Sequence, residues 1–216
     1  MNEISEQQID EFVAGCRRVA AHGLVHCSSG NVSWRANAEL MLITTTRSWL
    51  SDLSRDDVAI CQIADGRVLN GKRPSVELAF HAGILRSRSD VNVVLHCQTP
   101  SATALACMPT PDEVYNVIPE IPYYIGPVKT VSFQLPGSET LGQTVMMAMQ
   151  EHDLVQLRNH GQVTVGKDFR HTIQKAMFFE LACQIILHAG DKLVPLTKME
   201  VRNIRLLRTE ELGTSV

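Results

Sequence analysis

The apolar segment VNVVLHCQTP, residues 91–100, is the feature that most constrains how this chain can fold. Its run of Val and Leu is typical of a strand buried inside a sheet. Successive strand side chains point to opposite faces, so His96 and Gln98 should lie on one face and Cys97 on the other. The segment therefore predicts a central strand that ends with an imidazole and an amide on the same side.

Hydrophobic periodicity predicts helices and strands on both sides of this segment. Ser5 and Gln8 form a capping box before a helix that ends at Gly23. Further helices are predicted from Ser75, Thr99-Pro100, Leu141, Asp168 and near residue 198, and further strands in GNVSWR, ELMLITT, VAICQI, VKTVSF, LVQL and QVTVG. Because no linker or repeat interrupts this pattern, residues 1–216 are expected to form a single α/β domain with helices covering a sheet.

The charge, hydropathy and cysteine patterns argue against several classes of protein. The formal net charge is -3 and no basic stripe is present, which argues against a nucleic-acid partner. No apolar run approaches the roughly 20 residues of a membrane span, and the acidic N-terminal stretch does not resemble a secretory signal. The six cysteines form no CxxC pair, which indicates reduced thiols in a cytoplasmic protein.

Four polar residues stand at positions where metal chemistry is chemically sensible. His96 and Gln98 end the central strand, His160 occupies the tight turn NHG, and Glu77 follows the predicted helix start at Ser75. Neutral imidazole binds zinc, an amide oxygen is a harder ligand, and a nearby carboxylate could bind the metal or carry a proton. The competing interpretation is that each histidine is an ordinary hydrogen-bonded structural residue.

Five ordered motifs together carry a resemblance to a known family. They are Gly30-Asn31-Val32-Ser33, LITTTR, Pro74-Ser75-Val76-Glu77, His96-Cys97-Gln98 and Asn159-His160-Gly161. In this order and at this spacing, the chain resembles the class II aldolase/adducin family over about residues 8 to 190. The layout is most similar to the L-fuculose-1-phosphate aldolase branch. The resemblance implies a mostly antiparallel sheet with helices on both faces, assembled as a ring-shaped homotetramer.

The resemblance also implies a metal-dependent lyase. By position, His96 and His160 would hold one Zn²⁺ per chain, with Gln98 at a third ligand position. The metal would act as a Lewis acid on an enediolate, and Glu77 would be the catalytic acid/base. The family's sugar aldolases bind phosphate at the positions of Gly30, Asn31, Thr46 and Ser75.

Three positions depart from the family pattern. Gln98 replaces a histidine, which weakens a zinc site because an amide is a poorer donor. Val76 replaces a serine, and Arg47 replaces a small residue. Arg47 is expected either to grip a phosphate or carboxylate, or to be a solvated loop charge. The family's proton-donating tyrosine could be Tyr115, Tyr123 or Tyr124, with Tyr123 the best fit by position. The remaining histidines considered, His22, His26 and His81, are interpreted as structural.

Three classes of function follow from this pattern. The first is aldol cleavage or condensation of a sugar phosphate or related hydroxy-keto compound, with a small phosphorylated or carboxylated substrate. The second is a decarboxylase or a sugar-phosphate epimerase on the same scaffold, although epimerases carry Asp at the position of Glu77. The third is a non-catalytic, adducin-like binding protein with a degraded metal site. Gln98 at the position of a ligand histidine favours this third class, whereas His96 and His160, which retain metal-binding side chains, argue against it.

Overall fold

A computed structural model describes residues 4–211, so both ends of the predicted 1–216 domain lie outside the described residues. Helices and strands alternate along this part of the chain. The helices are α1 Glu6–Ala21, α2 Leu78–Ser87, α3 Pro100–Ala106, α4 Glu139–Ala148, α5 Phe169–Ala189 and α6 Lys198–Glu211. The strands are β1 Asn31–Arg35, β2 Leu40–Thr44, β3 Val58–Gln62, β4 Val93–Cys97, β5 Val128–Val131, β6 Leu154–Leu157 and β7 Gly161–Gly166.

The strands of residues 4–211 form one seven-stranded sheet in the order β3-β2-β1-β4-β7-β6-β5. All neighbouring pairs are antiparallel except β5 and β6, which are parallel. The apolar strand β4 lies at the centre, as its sequence predicts. Asn31 of β1 pairs with His96, and Gln162 of β7 pairs with Cys97. The start of β1, the end of β4 and the start of β7 therefore meet at one edge of the sheet.

The two faces of the sheet are covered by different helices, which confirms the predicted α/β fold class. On one face, Val94 packs in a core with residues of α2 and α4, such as Phe80 and Val145. On the other, Leu95 and Cys97 pack with residues of α1 and α5, such as Phe12. Alternation along β4 consequently turns His96 toward the α2 face, opposite to Cys97.

The start of α2 corrects the prediction that this helix begins at Ser75. The N-cap is Glu77, and the helix proper begins at Leu78. The reason is that Pro74 bridges to Thr45 and the Ser75 N–H donates to the Thr44 carbonyl, so this segment continues as extended chain beside β2. The Ser75 hydroxyl instead accepts from the Glu77 N–H at 3.3 Å. Glu77 is thereby placed at the helix entrance, beside the sheet edge.

The other predicted helix starts agree with the structure. Ser5 and Gln8 form the capping box of α1, and Asp168 caps α5 by accepting from the His171 N–H. α4 begins two residues earlier than predicted because Ser138 caps it. Within residues 4–211 every helix is too short or too polar to cross a bilayer.

Candidate metal centre and active site

Three side chains from separate elements converge at the sheet edge. They are Glu77 at the N-cap of α2, His96 near the end of β4 and His160 in the turn between β6 and β7. Glu77 Oε2 lies 3.6 Å from His96 Nε2, and Glu77 Oε1 lies 3.7 Å from His160 Nε2. One ligand atom from each lies within 4.8 Å of the others. Glu77 and His96 are buried, and His160 is nearly so.

A backbone hydrogen bond fixes which nitrogen of His96 faces this cluster. His96 Nδ1 lies 3.0 Å from the carbonyl oxygen of Gln162, an acceptor only, so Nδ1 must carry the hydrogen. In the neutral ring the lone pair is then on Nε2, which points at Glu77. Metal-binding histidines are commonly oriented in this way, by a hydrogen bond from the nitrogen that does not bind the metal.

The position of His160 depends on the close approach of two strands. Asn159 adopts a left-handed conformation, with φ at 53°. A Cβ at Gly161 would lie only 2.5 Å from the Cys97 carbonyl oxygen, so glycine is required there. Burial and the nearby His96 ring lower the pKa of His160 to about 4, although Glu77 opposes this shift. His160 is therefore neutral at pH 7 and offers a lone pair.

Glu77 is ionised although it is buried. Burial raises its pKa, but the electrostatic interaction with His96 and the hydrogen bond from Asn31 lower it, together with weaker contributions from His160 and His81. The net direction is downward. Its Oε2 accepts from Asn31 Nδ2 at 2.8 Å. Its Oε1 is buried without a hydrogen-bond partner, as is Nδ1 of His160.

This donor set fits a divalent metal. Two donors bound tetrahedrally at zinc distances are about 3.4 Å apart, close to the 3.6 and 3.7 Å separations within the cluster. Two neutral imidazoles and one carboxylate are ordinary zinc ligands, and the unpartnered Glu77 Oε1 is a buried acceptor that requires a partner. The geometry thus satisfies the ligand types, spacing and orientation of an open three-residue site.

A buried chain of hydrogen bonds continues from Glu77 into the protein. Asn31 Oδ1 lies 2.5 Å from His81 Nε2, and His81 Nδ1 lies 2.7 Å from Ser33 Oγ. The sequence alone favours a structural role for His81, and this network was not predicted. Spacing could have indicated it, since His81 follows Glu77 by four residues and Ser33 follows Asn31 by two. Those separations place side chains on one face of a helix and of a strand.

The residues expected to bind phosphate lie at the same sheet edge but differ in their burial and in their hydrogen bonds. Gly30 has φ at 77°, and a Cβ there would lie 2.7 Å from the His96 carbonyl oxygen. Asn31 and Ser75 are buried, and Thr46 is half-buried with its N–H donated to the Arg73 carbonyl. Arg47 is exposed.

The backbone of Arg47 is strained, with φ at 64°. Left-handed conformations cost a non-glycine residue on the order of 1 kcal/mol and cluster at functional sites. Among residues 4–211 no hydrogen bond or ion pair holds the Arg47 guanidinium, so it is available to an anion. Cys27 and Asn159 are also left-handed, and their loops adjoin the same sheet edge.

Comparison with known proteins assigns the family. A family model described as the Class II Aldolase and Adducin N-terminal domain matches residues 10–187. The chain belongs to the class II aldolase and adducin family. This confirms the resemblance carried by the five motifs, and the match extends across the sheet and across Glu77, His96 and His160.

The relatives similar to this chain include two kinds of enzyme, an aldolase and a decarboxylase. The L-fuculose phosphate aldolase of Methanococcus maripaludis is 30% identical over 177 residues, which are 82% of this chain and 94% of the relative. The 3-oxo-tetronate 4-phosphate decarboxylase of Pectobacterium atrosepticum is 28% identical over 168 residues, 76% of this chain and 77% of the relative. The comparison therefore supports the superfamily and leaves two reactions to distinguish.

Solved structures of the class II aldolase family share this fold. YgbL from Escherichia coli superposes with a TM-score of 0.86 at 24% identity, covering 94% of this chain and all of that chain. An L-fuculose 1-phosphate aldolase superposes with a TM-score of 0.85 at 22% identity, covering 97% of both. Both establish the mostly antiparallel class II aldolase architecture for this chain.

Gln98, which departs from the family histidine, lies just beyond β4. A Cβ added at Gly161 would lie only 2.8 Å from the Cγ of Gln98. Its side chain thus lies next to the residue that follows His160. Within residues 4–211 no hydrogen bond of its amide occurs, so ligation by Gln98 stays a prediction.

The three tyrosines line a separate core and a separate cavity, whereas Glu77, His96 and His160 form the triad at the sheet edge. Tyr115 is buried against Phe179, and burial raises its pKa to about 12. Tyr123 and Tyr124 line a cavity of about 320 Å³ together with Val91 and Gly166. Because Gly166 pairs with Val93, that cavity lies at the end of β4 and β7 opposite to the triad. Which tyrosine donates a proton stays open.

Proposed function

We propose that the protein is a metal-dependent lyase that catalyses aldol cleavage and condensation of a small phosphorylated or carboxylated hydroxy-keto compound. The convergence of Glu77, His96 and His160 carries this proposal. Two imidazole lone pairs and an ionised carboxylate point into one water-poor site. This retained donor set argues against a non-catalytic, adducin-like protein.

The metal in this proposal is Zn²⁺, one per chain. His96 and His160 would hold it through Nε2, with Gln98 or Glu77 as the further protein ligand. When bound, the metal supplies Lewis-acid polarisation of a substrate oxygen. The Gln162 carbonyl keeps the His96 ring in the orientation required.

Glu77 is the proposed catalytic acid/base, acting through Oε1. Oε2 is occupied by the Asn31 N–H, whereas Oε1 has no hydrogen-bond partner and faces His160. In aldol cleavage Oε1 would take the proton of the substrate hydroxyl as the carbon–carbon bond breaks and its electron pair enters the neighbouring carbonyl. It would then return a proton to the carbon that held the broken bond.

The sheet edge around Gly30, Asn31, Thr46, Arg47 and Ser75 is the proposed binding site for the anionic end of the substrate. The Arg47 guanidinium is exposed and unpaired among the described residues, and it can bind phosphate or carboxylate with two hydrogen bonds. The Asn31 amide is already held by Glu77 and His81, so we assign its anion contact to the backbone.

A second candidate reaction is decarboxylation of a keto acid phosphate. One observation favours it: several relatives carry the name 3-oxo-tetronate 4-phosphate decarboxylase. The family resemblance adds that Arg47 stands where a small residue is expected, so it supplies an additional cation for a carboxylate. The electron pair of the broken bond would again enter the neighbouring carbonyl. Because the leaving carboxylate is already ionised, Glu77 would take no proton from a substrate hydroxyl; it would relay a proton from water to the carbon that lost carbon dioxide.

We further propose a cytoplasmic homotetramer. All six cysteines are free and four of them are buried, which suits a reducing compartment. The tetramer rests on the family resemblance. Light scattering should give four times the chain mass, and a monomer at micromolar concentration would contradict it.

A paired assay distinguishes the two reactions. Zinc-loaded protein is incubated with L-fuculose 1-phosphate and, separately, with 3-oxo-tetronate 4-phosphate, while aldehyde and carbon dioxide release are measured. Phosphate-free analogues show whether the anion is required. Aldehyde release that disappears in Glu77→Gln supports the aldolase, carbon dioxide release that disappears in the same variant supports the decarboxylase, and neither product from either phosphate would overturn both.

A further inference from the structure

A buried hydrogen-bond chain has only one arrangement that suits an ionised Glu77. The carboxylate can only accept, so Asn31 must direct its NH₂ group toward Oε2. Oδ1 of Asn31 then faces His81 Nε2 at 2.5 Å, so that nitrogen must carry the hydrogen. In a neutral ring Nδ1 is then an acceptor, and the Ser33 hydroxyl must donate to it at 2.7 Å.

The neutral state of His81 follows from its surroundings. The ring is 0% exposed and is stacked on Phe80, with centroids 4.7 Å apart. Burial lowers the pKa of His81 to about 3, against the opposing charge of Glu77. Ser33 is also fully buried, so water does not compete for this hydrogen bond.

From these hydrogen bonds we propose that His81 is a positioning residue for Glu77. As the Nε2–H tautomer it holds the Asn31 amide in one orientation, which keeps the Asn31 N–H on Oε2 and leaves Oε1 as the atom that moves the proton. This inference rests on the proposed function, because it assigns a role toward the Glu77 acid/base. Asn31 is then held from inside the protein and does not use its side chain for phosphate.

The inference predicts which variants of His81 recover function. In His81→Leu, Asn31 Oδ1 loses its donor, so the amide can rotate and Glu77 loses its fixed hydrogen bond. We expect kcat to fall by about 10- to 100-fold, the usual scale for residues that orient an active-site group, with KM within about threefold of wild type. His81→Gln keeps an N–H at a similar reach and should recover most of the loss.

A matched control and a milder variant separate this role from simple destabilisation. Ile84→Val changes a fully buried residue one turn away from His81 on the same helix, outside the hydrogen-bond chain. It should leave kcat near wild type. Ser33→Ala removes only the donor to Nδ1. It should fold normally and keep the Nε2–H tautomer, because the Asn31 oxygen still requires that donor.

Nitrogen-15 NMR of the histidine rings tests the network without an activity assay. We expect His81 to have a protonated Nε2 and an unprotonated Nδ1 both in zinc-loaded wild type and in Ser33→Ala. A protonated Nδ1, or an imidazolium at pH 7, would overturn the inference. Equal kcat losses in His81→Leu and His81→Gln would overturn it as well. If neither phosphate is turned over, the proposed function fails, while the NMR result still decides the hydrogen-bond arrangement.

Discussion

His96 on the central strand donates its Nδ1–H to the carbonyl oxygen of Gln162 on β7 at 3.0 Å. One hydrogen bond from this side chain to the backbone of the neighbouring strand thereby sets the orientation of an imidazole in the proposed active site. The free Nε2 faces Glu77 at 3.6 Å, and the turn that follows β6 brings His160 to the other oxygen of the same carboxylate. The sheet, the turn after β6 and the start of α2 therefore build the donor set together.

Replacing the carboxylate should remove proton transfer and keep the site. We expect Glu77→Gln to fold, to bind Zn²⁺ and to lower kcat by about 10²- to 10⁴-fold, the usual scale for a lost general acid/base. The amide still accepts at one atom, so the contact with Asn31 can persist. Steady-state kinetics on the substrate found in the paired assay, with zinc content measured in parallel, check this. Wild-type turnover in a zinc-loaded variant would remove Glu77 from the mechanism.

Restoring a third imidazole should strengthen the zinc site. In Gln98→His the new ring would lie beside Gly161, next to His160, and imidazole is a better zinc donor than an amide. We expect zinc affinity to rise by about 10-fold or more in competition with a chromophoric chelator. His22→Gln, at an exposed position, is the control. Unchanged affinity in Gln98→His would show that Gln98 stands outside the ligand set.

Replacing Arg47 should weaken substrate binding without lowering the stability of the fold. Glycine tolerates the left-handed φ of 64°, so Arg47→Gly should leave the free energy of unfolding within about 1 kcal/mol of wild type. Loss of the guanidinium should raise KM for the phosphorylated substrate by about 10-fold or more and leave the phosphate-free analogue unaffected. Arg73→Ala tests whether any nearby cation has this effect. An unchanged KM would mean that Arg47 is only a solvated charge.

The buried His81 should make the fold sensitive to acid. Its pKa is about 3 in the folded chain against about 6.5 for a free imidazole, so the unfolded chain binds the proton first as pH falls. Stability is then lost progressively from about pH 6.5 downward, until the pH reaches the folded pKa. Between pH 6.5 and 4.5 this amounts to about 2 kcal/mol.

Urea unfolding at both pH values measures this effect in metal-free protein at one fixed concentration. His81→Gln should lose about 2 kcal/mol less than wild type over the interval, because glutamine does not titrate. His22→Gln, an exposed histidine, should keep the wild-type difference. Identical pH dependence in wild type and His81→Gln would show that His81 does not titrate as a buried neutral ring.

The central strand and its neighbours could be predicted from the sequence because their signals are local. The apolar run before His96 marks β4. Caps such as Ser5 and Asp168 mark helix starts, because each accepts a hydrogen bond from the N–H of the residue three positions later. The start of α2 could not be predicted in this way. A hydrogen bond from Ser75 to Thr44, distant in sequence, overrides the local capping preference of the serine.

The site was only partly predictable for the same reason. His96 stands out because an imidazole ends an otherwise apolar strand, and His160 stands out because Asn159-His160-Gly161 is one of the five ordered motifs. The Asn31–His81 contact joins residues 50 positions apart, and its meaning depends on which amide atom and which tautomer face each other. The family resemblance assigned Asn31 to phosphate, whereas the structure turns its side chain toward Glu77 and His81.

The central claim is that His96 and His160 form one zinc site, and zinc binding by wild type and His160→Ala tests it most directly. Both proteins are prepared without chelator and then titrated with Zn²⁺ against a chromophoric competitor, with His22→Gln as the control. The account predicts one tightly bound zinc per chain in wild type and in the control, and a large loss of affinity in His160→Ala. Indistinguishable zinc binding by wild type and His160→Ala, or no zinc bound by wild type even after zinc addition, would contradict it.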